Sequence, residues 1–579
     1  MSLFENWLDF SNSMIPVFLL LLVGMVLCRI KVQKPSGWSI LFGLLFGMAM
    51  VFGRYLDHEG GITPGNLRMW REILILSGAS CVLVQSLWKW MEKHSPKRVV
   101  DVSGTLEKVT IKTMWLSAAI IFVCYFIVFL GVYPGFFVYD AQEEYMQVVT
   151  RNFTTHHPLF HVLLMGGIVQ LGYKLTDSYN IGIAMYTLFQ MSVLSVIFGY
   201  FIWQLAKRGL RKSGQLVLTL YLGLFPVLVM FSLCSAKDGL FTGMLLLMVL
   251  LLQDFCSSPE TFFGQKGKLL LLGGASLGMM LLRHNGFYAL LVMTPFLLLF
   301  IWKTQLSQKR RQYLKNSFCY LVGILLLYVV VNQGLMFTFH AKGGEHQEML
   351  TVPIMQMARV YAYEKDSLTS DEQQMLLMFL PEEALLRYTP KVSDGVKLQF
   401  QNRVFEEHRA EFFKLWLQIG VKHPIAYANA WFMTSYGFWY PDTIIDVYRG
   451  NTVFTYTYED SSYFGYEVEL PGVRDSHIPF LDELYRKLSL EIFQQKIPVV
   501  SMLFSPGFLF WCMIFGLGFL LQSGHKREAI PYLLPVLVWL TFLLGPTYLV
   551  RYVVFLWVLV PLLGVQICAI LTRDSKIRN

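Results

Sequence analysis

The chain has 579 residues, 55% hydrophobic and 15% charged, with a mean hydropathy of +0.49. Soluble globular chains carry about 25% charged residues, so this composition excludes a soluble protein and points to a polytopic membrane protein. The net charge of +9 is not a nucleic-acid signature here, because excess Lys and Arg in a membrane protein gather in cytoplasmic loops.

Met14–Cys28 reads as the first span, and Arg29, Lys31 and Lys34 follow it, which places the N-terminus outside. Glu5 and Asp9 precede it instead of a basic stretch, so it reads as a retained helix and not a cleaved signal. Trp38–Gly53 returns outward, Ile73–Leu87 runs inward to a basic linker, and Met114–Leu130 brings Asp140 to the outer face. Pro158–Tyr173 is about 16 residues of apolar sequence, short for a span. Were it to cross, Lys207, Arg208, Arg211 and Lys212 would fall outside, against the charge rule; it reads instead as a juxtamembrane helix with Pro158 in its first turn. From Ile181–Ala206 onward the signs alternate consistently, through Gln215–Leu233, Gly239–Leu252, Leu269–Leu282, Phe287–Trp302, Ser317–Phe337, Pro498–Leu521, Ile530–Tyr548 and Tyr552–Leu571. The expectation is an all-α polytopic membrane protein of about thirteen transmembrane helices, its C-terminus cytoplasmic.

Four regions follow. Residues 1–113 hold the N-terminal helices and basic linker, 114–339 a transmembrane module, 340–496 an extracytoplasmic domain, and 497–579 the last helices and a basic tail. The extracytoplasmic domain has helical patterns at Asp371–Phe379 and Val404–Ile419 and a Tyr/Thr/Val-rich piece, Val453–Leu470, that reads as strands; a mixed α/β domain is expected. The eight cysteines lie in or beside apolar segments without CxxC spacing, so they indicate neither zinc nor a disulfide framework.

On this topology polar clusters share the outer face: Asp140 with Glu143, Glu144, His156, His157 and His161; Lys237-Asp238; Arg283-His284; and Arg551-Tyr552. Any one Arg or Lys at a helix end is readily explained by snorkelling to head groups. Acid-plus-base clusters gathered outside are not explained that way. Asp140, followed by Ala-Gln-Glu-Glu, has the position of a helix N-cap, where a carboxylate stays ionised and suits a general base or metal ligand. Glu143 or Glu144, one turn on, can share its face. His157 and His161 are spaced four apart, a weak metal signal; a divalent ion on Asp140, Asp238 and His157 is one option left open.

Tyr133-Pro134-Gly135, Asp140, His157-Pro158 and Leu282-Arg283-His284-Asn285-Gly286 together resemble the GT-C superfamily of integral-membrane glycosyltransferases, which includes protein O-mannosyltransferases and aminoarabinose transferases. More narrowly they resemble a bacterial family of multi-pass proteins with the same YPG…D…HHP and LR-x-NG segments. The resemblance spans roughly residues 114–570 and departs from the best-known members in its extra N-terminal helices and in the Ala-Gln after the loop acid. It implies a polyprenyl-phosphate-linked sugar donor held within membrane lipid and an extracytoplasmic acceptor, joined with inversion. Asp140 would be the general base. Lys237, Asp238, Arg283 and Arg551 would serve as phosphate-stabilising groups or second acid. Glu143, Glu144, His157, His161, His284, Arg359 and Tyr552 would support them, and Glu345, Gln356 and Arg359 would select the acceptor. A flippase for lipid-linked glycans, or a non-catalytic envelope receptor, are the competing readings. A transporter would place ionisable residues near the bilayer midplane, whereas here they collect at span ends.

Overall fold

The computed structural model describes residues 13–94, 99–100, 109–304, 310–443, 468–491 and 493–578. Numbering the longer helices in order, the chain forms α1 (Met14–Leu27), α2 (Gly37–Glu59), α3 (Leu67–Lys93), α4 (Lys112–Gly131), α5 (Ala141–Thr150), α6 (Leu159–Thr176) and α7 (Tyr179–Lys207). There follow α8 (Lys212–Leu224), α9 (Pro226–Leu233), α10 (Asp238–Ser257), α11 (Lys266–Leu282), α12 (His284–Lys303) and α13 (Arg310–Thr338). Beyond these lie α14 (Thr351–Glu364), α15 (Ser370–Phe379), α16 (Arg409–Lys422) and α17 (Pro424–Ser435), and finally α18 (Pro506–Gln522), α19 (Leu533–Phe542) and α20 (Leu556–Arg578). Runs this apolar must satisfy their backbone polar groups internally, which a helix does. Polar side chains start several of them: Ser36 and Asn66 accept from Ser39 and Met69 amides, and Ser178 accepts from Ile181.

Among the described residues, nine helices are long and apolar enough to cross a membrane, or ten if α8 and α9, bent by 55° at Phe225-Pro226, form one broken span. The protein is therefore a multi-pass, all-α membrane protein. The expected thirteen is too high because hydrophobic runs do not all become long helices: α1 has 14 residues, α11 and α18 have 17 each, and α19 has 10. In α10, 89% of the apolar window is buried against 22% in Arg311–Thr338, so α10 is the hub and α13 lies at the periphery.

Contacts sort the helix ends into two groups. The end of α4, the starts of α10 and α12 and the Val550–Val553 turn before α20 converge near Asp140. At the opposite end, Arg208 and Lys268 share Asp254, and Arg573 lies 3.6 Å from Glu528. The helix α6, at 18 residues, is longer than the sequence suggests and meets the span criterion on length and composition. Yet His161 near its start bonds Tyr186, and just past its end Asn180 bonds the backbone of Val473. Residues Asp475 and His477 in that same stretch donate to the carbonyls of Tyr133 and Leu130, at the end of α4. Both ends of α6 therefore sit at the Asp140 end, and α7 then runs the length of the bundle to Arg208.

The described part of the extramembrane region is mainly helical, with its own core around Ile354, Phe379, Phe405 and Phe412. Among the described residues there is no strand, only isolated bridges. The expected strand segment falls almost wholly in residues 444–467, outside the described residues. The helix expected over Val404–Ile419 is two pieces, Asn402–Glu407 and α16, broken at His408.

Candidate functional site

Asp140 occupies the N-cap position of α5, yet its side chain does not cap the helix. Two cations from distant parts of the chain claim it. Arg551 grips both oxygens, Nη1 to Oδ1 at 3.1 Å and Nη2 to Oδ2 at 2.5 Å, and Lys237 Nζ reaches Oδ2 at 2.6 Å. A bidentate charge-assisted pair outweighs a cap bond worth about 1 kcal/mol. Burial alone would raise the carboxyl; the charges of Arg551, Lys237 and His157 overcome it and hold Asp140 well below the usual range.

The cluster extends in two directions. Arg551 Nε lies 2.9 Å from Asp238 Oδ2, and Arg283 bonds the other oxygen of Asp238. Arg283 also stacks over Tyr552 at 4.7 Å and Phe542 at 5.4 Å. In the other direction Lys237 meets Glu144 Oε1 at 3.1 Å, whose second oxygen lies 2.5 Å from His161 Nδ1. Burial pushes Glu144 up, but His161 and Lys237 bring it down to about 2. For Lys237 burial favours the neutral form, and Asp140 and Glu144 reverse this and raise it.

His161 Nε2 lies 2.8 Å from the Tyr186 hydroxyl, which donates to Gln190 Oε1 at 3.1 Å. Gln190 Nε2 in turn donates to the carbonyls of Phe231, Ser232 and Cys234. With the Gln190 amide so fixed, the Tyr186 proton points to Gln190, and its oxygen accepts from His161. The relay anchors the turn that presents Lys237, and the Phe136 and Ser235 amides tie that turn to the Gly135-Phe136 stretch. Gly135 has φ +120°, and a Cβ there would lie 2.4 Å from Thr187 Oγ1, which explains glycine in the YPG segment.

Lys237, Arg283 and Arg551, all buried, face the buried Glu144 and Asp238 and the partly exposed Asp140. Arg283 Nε is buried without a hydrogen-bond partner among the described residues. A buried, unpartnered guanidinium donor beside two further basic side chains on one cavity wall fits an anionic ligand.

The cluster forms one wall of a polar cavity of about 440 Å³. Asp140, Glu143, His157, Lys237, Arg283, His284, Arg551 and Tyr552 line it. Glu144, His161 and Asp238 lie behind that wall. His157 Nε2 sits 3.4 Å from Glu143 and its proximity holds that carboxyl below the usual range, and His284 is 2.8 Å from Tyr328. Arg359 is not at the site: it bonds the Gly60 carbonyl at 2.8 Å and stacks on Tyr363. Glu345 bonds Gln347, and Gln356 serves Trp416 and Tyr427, so neither reaches the cavity. The extramembrane contribution comes instead from Glu348, Asp394 and Lys397, with Lys397 bonding the other two at 2.7 and 3.1 Å. Sequence reasoning missed these, as well as Asn285 and Thr541, which bond each other at 2.8 Å on the cavity wall.

Among the described residues, two groups have ligand atoms close enough for one metal ion: Asp140, Glu144 and His157, and Glu143, His156 and His157. Asp238 is in neither, being enclosed by Arg283 and Arg551. In the first group Lys237 already fills the space between Asp140 and Glu144.

No curated protein and no solved structure matches the chain. Residues 107–575, which take in every side chain of this cluster, match a family of unknown function, DUF6020. The chain belongs to that family.

Proposed function

We propose that the protein is a membrane glycosyltransferase of the GT-C kind, moving a sugar from a polyprenyl-phosphate carrier to an extracytoplasmic acceptor. The observation that carries this reading is the trio of buried basic side chains, Lys237, Arg283 and Arg551, gathered around Asp140 and Asp238 on the wall of a polar cavity at one end of an apolar bundle. A carrier whose tail lies in the bilayer and whose phosphate lies at its surface suits that placement.

The acceptor hydroxyl oxygen forms a bond to the anomeric carbon as the bond from that carbon to the phosphate oxygen breaks on the opposite face. The phosphate leaves with the electron pair, stabilised by Lys237, Arg283 and Arg551. Asp140 takes the hydroxyl proton. Paired to two cations it is a weak base; a phosphate that draws Lys237 and Arg551 toward itself raises its basicity when the donor is in place. Glu348, Asp394 and Lys397 close the cavity from the acceptor side. The groups that could hold a divalent ion, Asp140, Glu144 and His157, overlap this machinery, and such an ion would add further charge at the phosphate.

The far end of the bundle carries Lys207, Arg208, Lys268, Lys303, Lys526, Arg527 and Arg573. That supports a cytoplasmic far end, an N-terminus outside and a site facing away from the cytoplasm. Ionisable side chains gather at the two ends of the bundle, which favours an enzyme over a flippase. The test is Asp140→Asn at normal expression in cells where deletion alters an envelope glycan: the variant should fail to restore the glycan, and full restoration overturns the proposal.

A further inference from the structure

The end of the bundle opposite the site holds a second polar cavity, of about 240 Å³. Three guanidinium groups line it: Arg208 after α7, Arg527 in the turn after α18, and Arg573 in α20. Its floor is a fixed amide network. Gln253 Nε2 donates to Gln566 Oε1 at 2.7 Å and to the Tyr532 hydroxyl at 3.0 Å, while Gln253 Oε1 accepts from Arg208. Gln566 Nε2 donates to the Glu528 carbonyl at 3.3 Å.

The acids nearby do not neutralise this set. Asp254 is shared by Arg208 at 3.0 Å and Lys268 at 2.7 Å. Glu528 stands 3.6 Å from Arg573. Asp574 holds His525 at 3.0 Å. Arg527 has no carboxylate within ion-pair distance among the described residues; its guanidinium lies over Phe300 at 5.8 Å. Arginines at helix ends normally snorkel outward to head groups. Here Arg527 and Arg573 stand exposed at the rim and Arg208 lies deeper, and the three share one cavity whose floor offers amides; like charges so placed repel unless an anion comes between them.

We propose that this cavity binds a phosphate anion, carried by a phospholipid head group or free in solution, and that the anion ties the ends of α7, α10 and α20 together. Guanidinium groups bind phosphate oxygens through paired N–H donors. The proposal is independent of the glycosyl-transfer reading, since no residue of the cavity touches the Asp140 cluster.

The test uses the full-length protein in nanodiscs of phosphatidylcholine alone or with phosphatidylglycerol, melted with and without inorganic phosphate. Phosphatidylglycerol, inorganic phosphate or both should raise the melting midpoint. A shift with phosphatidylglycerol only assigns a head group, and a shift with phosphate in pure phosphatidylcholine assigns the free ion. The Arg527→Gln/Arg573→Gln variant, altered at the cavity rim, should bind the effective anion about tenfold more weakly. Ser257→Trp, which fills the cavity and leaves the charges in place, should abolish the shift. If neither anion moves the midpoint, or if both variants respond as the wild type does, the proposal is overturned.

Discussion

Asp238 is the acid on which the stability of the cluster turns. It is 1% exposed and its partners are two arginines. Asp238→Asn keeps the shape and removes the charge. Arg551 retains Asp140 after the change, but Arg283 has no second acid in range among the described residues, and the rings of Tyr552 and Phe542 already stack on it in the wild type. Leaving one partner of a buried pair stranded costs about 3–5 kcal/mol. Because Arg283 borders the cavity and water can reach it, we expect the lower end of that scale, about 3 kcal/mol. Adding Arg283→Gln removes the stranded cation, so the double variant should be more stable than the sum of the single losses predicts, by about 2 kcal/mol. The assay is equilibrium unfolding in mixed micelles followed by tryptophan fluorescence for wild type, both single variants and the double. An Asp238→Asn protein within about 0.5 kcal/mol of wild type, or additive losses, would refute the reasoning.

Further outcomes can be checked separately. Glu144 is held at about 2 against an ordinary value near 4.5, so its contribution is complete above pH about 4.5 and is lost as the pH falls toward about 2. Unfolding measured across that window should show a shallower acid decline in Glu144→Gln than in wild type. Gly182→Ala would place a methyl 2.3 Å from the Val169 carbonyl and should cost roughly 1–3 kcal/mol. Gly167→Ala on α6, with open space around it, should be neutral or stabilising in the same equilibrium unfolding assay. Single cysteines at Ser178 and Ser213 should react with an impermeant thiol reagent from opposite sides of the membrane, Ser178 from outside. Labelling from the same side would remove the basis for placing both ends of α6 at one end of the bundle.

Charge contrast explains what could be read from the sequence. Asp140, Lys237, Arg283 and Arg551 stand out because each interrupts or ends an apolar run, and the structure brings all four together. Glu348, Asp394 and Lys397 sit in a region where charge is ordinary, so nothing local marks them as facing a cavity. Arg359 looked like a site residue for the converse reason: a cation in a polar domain is easily over-read, and this one caps the Gly60 carbonyl. Local rules also misjudged Asp140, where the N-cap pattern yields to two cations 97 and 411 residues away in the chain. The span count was too high because an apolar run fixes burial but not helix length: Pro226 breaks one run, and α19 stops at Phe542 before an irregular stretch.

The most direct measurement is sugar transfer itself. Proteoliposomes holding the wild-type protein should deplete labelled sugar from an extracted pool of polyprenyl-phosphate-linked donors when envelope acceptors are supplied, and Asp140→Asn proteoliposomes of equal protein content should not. Equal depletion by the two, or none by the wild type with any donor in the pool, would contradict the account.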